Sequence, residues 1–98
     1  MKAITFDVGS WSVRTFGPQP NRLRMIKEKL IEEVNEFNSA EGFDCGIEAE
    51  AEELADMAIL LMGYAYRRGI DLGQAIRDKH KVNKKRKWVR SKGAYRHV

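Results

Sequence analysis

From residue 47 to residue 68 the chain passes from a run of carboxylates (Glu48, Glu50, Glu52, Glu53, Asp56) directly into the apolar segment Met57-Ala58-Ile59-Leu60-Leu61-Met62. No Pro interrupts it, its internal Gly63 lies late, and Ala, Glu, Leu and Met favour helix, so the pattern predicts one long central helix. At about 100° per residue, Leu54, Met57, Ala58, Leu61 and Ala65 share one face, and Glu53 and Asp56 fall together on its flank. Upstream, Leu23, Ile26, Leu30, Val34 and Phe37 keep the spacing of a buried helical stripe. Glu33 and Glu36 lie on the flank of that stripe with Lys29 one turn before, while Glu32 points away. Asn21, after Pro20, is the expected N-cap of this helix.

Residues 38–46 hold two glycines and no periodicity, and predict a connector that lets the two helices fold back antiparallel. The central helix should end at Arg67-Arg68-Gly69, a basic last turn followed by glycine. Asp71 then reads as an N-cap with Gln74 as capping-box partner and Ile70 stapled to Ala75, opening a third helix. Its inner stripe begins Leu72, Ala75, Ile76 and continues as Lys79, Asn83 and Arg86, so a buried line becomes cationic and amide-bearing. Long basic side chains aimed inward call for an anion. Residues 1–20 carry Gly9, Gly17, Pro18 and Pro20 among scattered aromatics. Alternation over residues 3–8 fits a strand, but a lone strand has no partner, so the expectation is an irregular N-terminal arm anchored by Trp11 and Phe16. Trp11 either packs on the bundle or stacks on a base. Past Trp88 the chain reads as an extended basic tail.

The fold class that follows is all-α: an antiparallel helical hairpin plus a third helix, completed to a four-helix-bundle-like core by oligomerisation. Ninety-eight residues allow one domain, divided into the arm (1–20), a helical core (21–88) and the tail (89–98). The helix is apolar nearly all round from Met57 to Tyr66, which demands neighbours that a small domain does not supply, hence a homo-oligomer. The net charge of +4 hides an asymmetry: residues 1–76 hold 8 Lys/Arg against 13 Asp/Glu, and residues 77–98 hold 10 against 1. The single cysteine, Cys45, excludes an internal disulfide and suits a reducing compartment. The apolar segment is about half of the roughly 20 residues a membrane span needs, so a soluble cytoplasmic protein with no membrane partner is expected.

Chemistry enters with the pairs. A single Glu-x-x-Glu is common on acidic helices and says little. Two pairs, each flanking its own helix's apolar stripe, make an oxygen-rich cage suited to Mg²⁺ or Mn²⁺ without His or Cys. With inward cations added, the ligand that meets both demands is a nucleoside triphosphate held through metal. A competing reading is a nucleic-acid-binding helical oligomer that uses the basic C-terminal segment; a purely structural oligomer leaves Lys79, Asn83 and Arg86 unexplained.

Glu33-Val-Asn-Glu36, Glu53-Leu-Ala-Asp56 and Lys79-His-Lys-Val-Asn83-Lys-Lys-Arg86-Lys-Trp88 together resemble the MazG-type all-α nucleoside triphosphate pyrophosphohydrolases. Trp11-Ser12, Thr15-Phe16-Gly17 and the closing Asn-x-x-Arg-x-Trp are similar to the short phage-type dATP/dGTP diphosphohydrolases among them. The resemblance runs from about Trp11 to Trp88. It implies hydrolysis of purine dNTPs between the α and β phosphorus to monophosphate and pyrophosphate, two or three Mg²⁺ or Mn²⁺ ions per site, and a dimer or dimer of dimers. It would place a phage-encoded protein in the host cytoplasm, with nucleic acid an unlikely partner. By position it implies Glu33, Glu36, Glu53 and Asp56 as metal ligands, and Lys79, Asn83 and Arg86 near phosphates or sugar; Trp11 is the arm's first candidate for stacking on a nucleotide base. Glu36 is the first candidate for proton acceptor, then Glu33 or Glu53.

Overall fold

A computed structural model describes residues 2–18, 21–39, 42–91 and 93–97. Four helices, α1 (Lys2–Phe16), α2 (Asn21–Ser39), α3 (Gly42–Arg68) and α4 (Leu72–Lys85), are followed by a hairpin of β1 (Trp88–Ser91) and β2 (Ala94–His97). The side chains of Asn21 and Cys45, and residues Ala40 and Glu41 of the expected connector, lie outside what is described.

Helix α3 is the centre, packed against both α1 and α2. The antiparallel hairpin expected of α2 and α3 is present: Glu33 meets Glu53 and Asp56, Lys27 lies over the Tyr64 ring at 5.4 Å, and Arg22 comes near Arg67, so the two helices run in opposite senses. The connector is shorter than expected. Helix persists to Ser39 and resumes at Gly42, then breaks at Gly46 (φ 76°, ψ 169°), so the regular helix starts at Ile47 as its pattern required.

Residues 2–16 are helical, not an irregular arm. The reason is tertiary. Thr5, Gly9 and Ser12, one turn apart, make a small-residue face that settles closely on α3. A Cβ on Gly9 would overlap the Cβ and ring of Tyr66, while Ser12 faces Gly63. Phe6 adds an edge-on contact to Tyr66 at 6.0 Å. Period-2 alternation over residues 3–8 was accidental, because docking on α3 rewards the i, i+4, i+7 set instead.

Arg67-Arg68-Gly69 does end α3. Gly69 (φ 69°) lets its N–H donate to Tyr66 O at 3.2 Å, and Ile70 N–H donates to Ala65 O at 2.9 Å, the paired bonds of a Schellman stop. Asp71 Oδ1 accepts from Gln74 N–H at 3.1 Å, as an N-cap should. The Gln74 side-chain amide donates forward to Asp78 Oδ1 at 2.7 Å, and its Oε1 accepts from Arg77 Nη2 at 2.9 Å.

Beyond Trp88 the chain is not an extended tail. Trp88 pairs with His97, Val89 with Arg96, Arg90 with Tyr95 and Ser91 with Ala94, around a turn containing Gly93 (φ 78°). Backbone pairing across that turn outweighs the repulsion that a basic composition suggests. Among the described residues the buried apolar core is only Met62 and Ala65, at 9% and 3% exposure. Val34, Leu54 and Leu61 from the predicted stripes stand well exposed, as does Ile31 beside them. No described helix is long and apolar enough to cross a membrane.

Candidate active site

Where α2 and α3 run side by side, the flank pairs face each other. Carboxylate oxygens of Glu33, Glu53 and Asp56 all lie within 4.8 Å of one another. Glu33 is buried, Glu53 half-buried and Asp56 exposed, so the cluster opens to solvent on the Asp56 side. Glu53 Oε2 is buried with no hydrogen-bond partner among the described residues. Its burial, then the charges of Glu33, Asp56, Glu36 and Glu52, push the Glu53 carboxyl above its ordinary value. A buried carboxylate oxygen without a donor, crowded by like charges, is a position that a divalent cation completes, and hard oxygen donors are the set Mg²⁺ and Mn²⁺ take. Glu36, one turn beyond Glu33, stands at the exposed outer edge, near enough for its charge to act on Glu53.

Lys29 borders the cluster. Its ammonium donates to Glu33 Oε1 at 3.3 Å and to Glu32 Oε1 at 3.5 Å. The hydrogen bond to Glu33, then the charge of Glu32, hold it above its usual value. Lys29 also begins a pocket of about 370 Å³ enclosed by α1, α2 and α3. Met25, Ile26, Ile59 and Leu60 form apolar walls, and Trp11 and Phe16 close it as an edge-on pair, rings 5.5 Å apart at 89°. Trp11 is half exposed there, accessible to a ligand.

Arg67 is the residue that sequence reasoning passed over. Its Nη1 donates to Ser12 Oγ at 2.8 Å, and its Nη2 to the carbonyls of Ser12 and Gly17, both at 3.1 Å. It thus clamps the C-terminal end of α1 to α3. Burial, then the like charge of Arg22, push its guanidinium below its usual value. Read from the sequence, Arg67 was only a basic last turn; its partners became visible once residues 2–16 were seen to be helix.

The structure brings Glu33, Glu53 and Asp56 together, with Glu36 beside them and Trp11 on the adjoining pocket. It does not bring α4 to them. Helix α4 leans on α1, and Lys79 and Asn83 line a separate shallow hollow with Ala75, Ile76 and His80. Arg86 Nη1 donates to Asn83 Oδ1 at 3.4 Å, and Trp88 Nε1 to Asn83 O at 2.7 Å, which ties the hairpin to the end of α4.

No family model matches the sequence. A "dATP/dGTP diphosphohydrolase" of Salmonella phage PMBT28 is 34% identical over 92 residues, 93% of this chain but 29% of that protein. A "dATP/dGTP diphosphohydrolase" of cyanophage S-2L is 35% identical over 71 residues, 71% of this chain and 63% of that protein. The chain therefore spans less than two thirds of either relative. Its fold matches the cyanophage S-2L MazG-like pyrophosphohydrolase bound to dGDP and three catalytic Mn²⁺ ions per active site, with TM-score 0.77 and 27% identity over 98% of this chain and 94% of that one.

Proposed function

We propose that this chain, homologous to phage dATP/dGTP diphosphohydrolases and alike in fold to a MazG-like pyrophosphohydrolase, hydrolyses purine deoxynucleoside triphosphates to monophosphate and pyrophosphate. The observation that carries the reading is the convergence of Glu33, Glu53 and Asp56 within 4.8 Å, one of them with a buried oxygen that has no partner among the described residues, joined through Lys29 to an aromatic-walled pocket.

Glu33, Glu53 and Asp56, with Glu36, would hold two or three Mg²⁺ or Mn²⁺ ions. Bound there, such ions supply charge neutralisation at the attacked phosphate and a water of lowered pKa. The chain's own residues do the rest. Glu36, at the solvent-facing edge, takes the proton of the attacking water. Lys29, fixed by Glu33, holds that carboxylate in place. Trp11 and Phe16 offer a face for a purine, and the apolar walls keep water from the sugar side.

Lys79 and Arg86 complete the site in an assembled oligomer by neutralising the departing pyrophosphate, and Asn83 adds a hydrogen bond near the phosphates or sugar. The exposed apolar faces of α2 and α3 supply the surface for that homo-oligomer, since a chain whose described core is Met62 and Ala65 buries little by itself. The test is incubation with each dNTP and Mn²⁺, following the first phosphorus product. Pyrophosphate from dATP or dGTP is expected; orthophosphate as first product overturns the reading.

A further inference from the structure

Of the cations in the basic C-terminal segment, only Lys79 and Arg86 serve the site proposed above. Residues 77–98 hold 10 Lys/Arg against 1 Asp/Glu, and the fold arranges them on a helix and a hairpin instead of a loose tail. On α4, residues 74–82 are all exposed. At 100° per residue, Arg77, Lys81 and Lys84 fall within about 60° of one another, on the far side of the helix from Lys79 and Asn83. Asp78, the single acid, accepts from Gln74 Nε2 at 2.7 Å, and Arg77 Nη2 donates to the neutral Gln74 Oε1 at 2.9 Å. Among the described residues no ion pair engages Arg77, Lys81 or Lys84. Three aligned cations repel one another unless an anion lies along them.

The hairpin supplies a second chemistry beside this row. Arg90 pairs with Tyr95, and the period of two puts Trp88, Arg90 and Tyr95 on one face. Trp88 and Tyr95 are diagonal neighbours there, about 7 to 8 Å apart by the geometry of such pairs. Tyr95 is 69% exposed and Trp88 42%, and Arg90 between them is exposed as well. Trp88 Nε1 donates to Asn83 O at 2.7 Å, which fixes the indole and holds β1 against the last turn of α4. The aromatic face therefore adjoins the cationic helix. Neither surface carries the Leu, Ile or Phe that an anionic bilayer would bury. Cations in a row beside two open rings suit a chain of phosphates whose bases are free to stack. In a duplex those base faces are already covered by their neighbours.

We infer that α4 and the hairpin bind single-stranded nucleic acid, with phosphates along Arg77, Lys81 and Lys84 and bases on Tyr95 and Trp88. Binding there needs neither metal nor the acids of α2 and α3, and it stands independently of the hydrolysis.

The experiment is fluorescence anisotropy of a labelled oligothymidylate of about 20 nucleotides with the full chain in EDTA over a series of salt concentrations. A duplex of the same length and phosphatidylserine vesicles are the comparisons. The strand should bind about 10-fold tighter than the duplex, the worth of stacking on one open ring. Lys81→Ala with Lys84→Ala should lower the slope of log K against log salt by about 1.4, two phosphate contacts on a single strand. Tyr95→Ala should weaken strand binding about 10-fold and leave the salt slope as it was. These variants should release pyrophosphate from dNTPs at the wild-type rate. The strand and duplex arms use the wild-type protein, so they decide the matter even where a variant folds poorly. A duplex bound as tightly as the strand, capture by vesicles without strand binding, or an unchanged slope in the folded double variant overturns the assignment.

Discussion

The acids of α2 and α3 and the cations of α4 arise from equally regular spacings, yet the fold gathers the first and leaves the second apart. Glu33, Glu53 and Asp56 meet because α2 and α3 pack along their length, so two flanks at matching heights must face each other. Lys79 and Asn83 share a face of α4 just as surely, but the helix stops at Lys85, leaving Arg86 as its extended C-cap, and α4 leans on α1 so that Lys79 and Asn83 border a shallow open hollow. Periodicity places residues on a face; a neighbouring element decides what that face meets. Three of the acids are therefore gathered within one chain, while the basic residues of α4 lie apart from them.

Removing an acid should give the largest effect. Glu53→Gln is expected to lower pyrophosphate release by more than the roughly 100-fold typical of losing an outer partner of a metal ligand, while light scattering shows an unchanged assembly. A surviving rate within a few-fold of wild type would mean that the α2–α3 cluster is not the reaction centre.

Next come the stranded cations. Lys79→Ala with Arg86→Ala should reduce kcat/KM by about 10- to 100-fold, the cost of losing charge-assisted hydrogen bonds. Mixing this variant with Glu53→Gln sharpens the contrast between the two halves. Recovered activity in mixed oligomers shows that α4 serves the acids of another subunit; no recovery assigns it to its own.

The contact that shapes the pocket is tested by stability. Arg67→Met removes the clamp on α1 and should cost about 2 kcal/mol, read from the denaturant midpoint at constant m. Gly9→Ala forces a methyl group into Tyr66 and should cost about 1 to 3 kcal/mol by overpacking. An unshifted midpoint in either would deny that α1 is held on α3 by these contacts.

The smallest effect concerns pH. Because the folded protein raises the Glu53 pKa, it favours the protonated form more than the unfolded chain does. The metal-free protein should accordingly keep this contribution below the ordinary carboxylate range and lose it as pH rises through the raised value. Glu53→Gln should flatten that decline in thermal midpoint and also remove the stabilisation that Mn²⁺ brings at neutral pH. A steeper decline in the variant would reverse the assignment.

Much of the acidic site was legible in order along the chain. Two stripes with flank pairs located Glu33, Glu53 and Asp56, and Gly69 and Asp71 marked where one helix stops and the next begins. Trp11 was legible only as either a packing aromatic or a stacking one, and the structure sets it edge-on to Phe16 in the pocket wall. Residues 2–16 misled because their helical face consists of Thr5, Gly9 and Ser12, small residues that register in no hydrophobic pattern. The hairpin after Trp88 was hidden by its basic composition. Arg22 and Arg67 were unremarkable charges until three helices were placed around them.

By itself, then, the order of residues determined what local periodicity and termination chemistry encode: the helices of the hairpin, their stops, and which acids share a flank. Tertiary structure alone decided that α1 exists, that Arg67 clamps it, that a pocket lies between three helices, and that α4 turns its cations away. The reason is that local signals depend on residues within a turn or two, whereas a close approach such as Gly9 on Tyr66 is stabilised by a partner more than fifty residues along the chain, and no short window contains both.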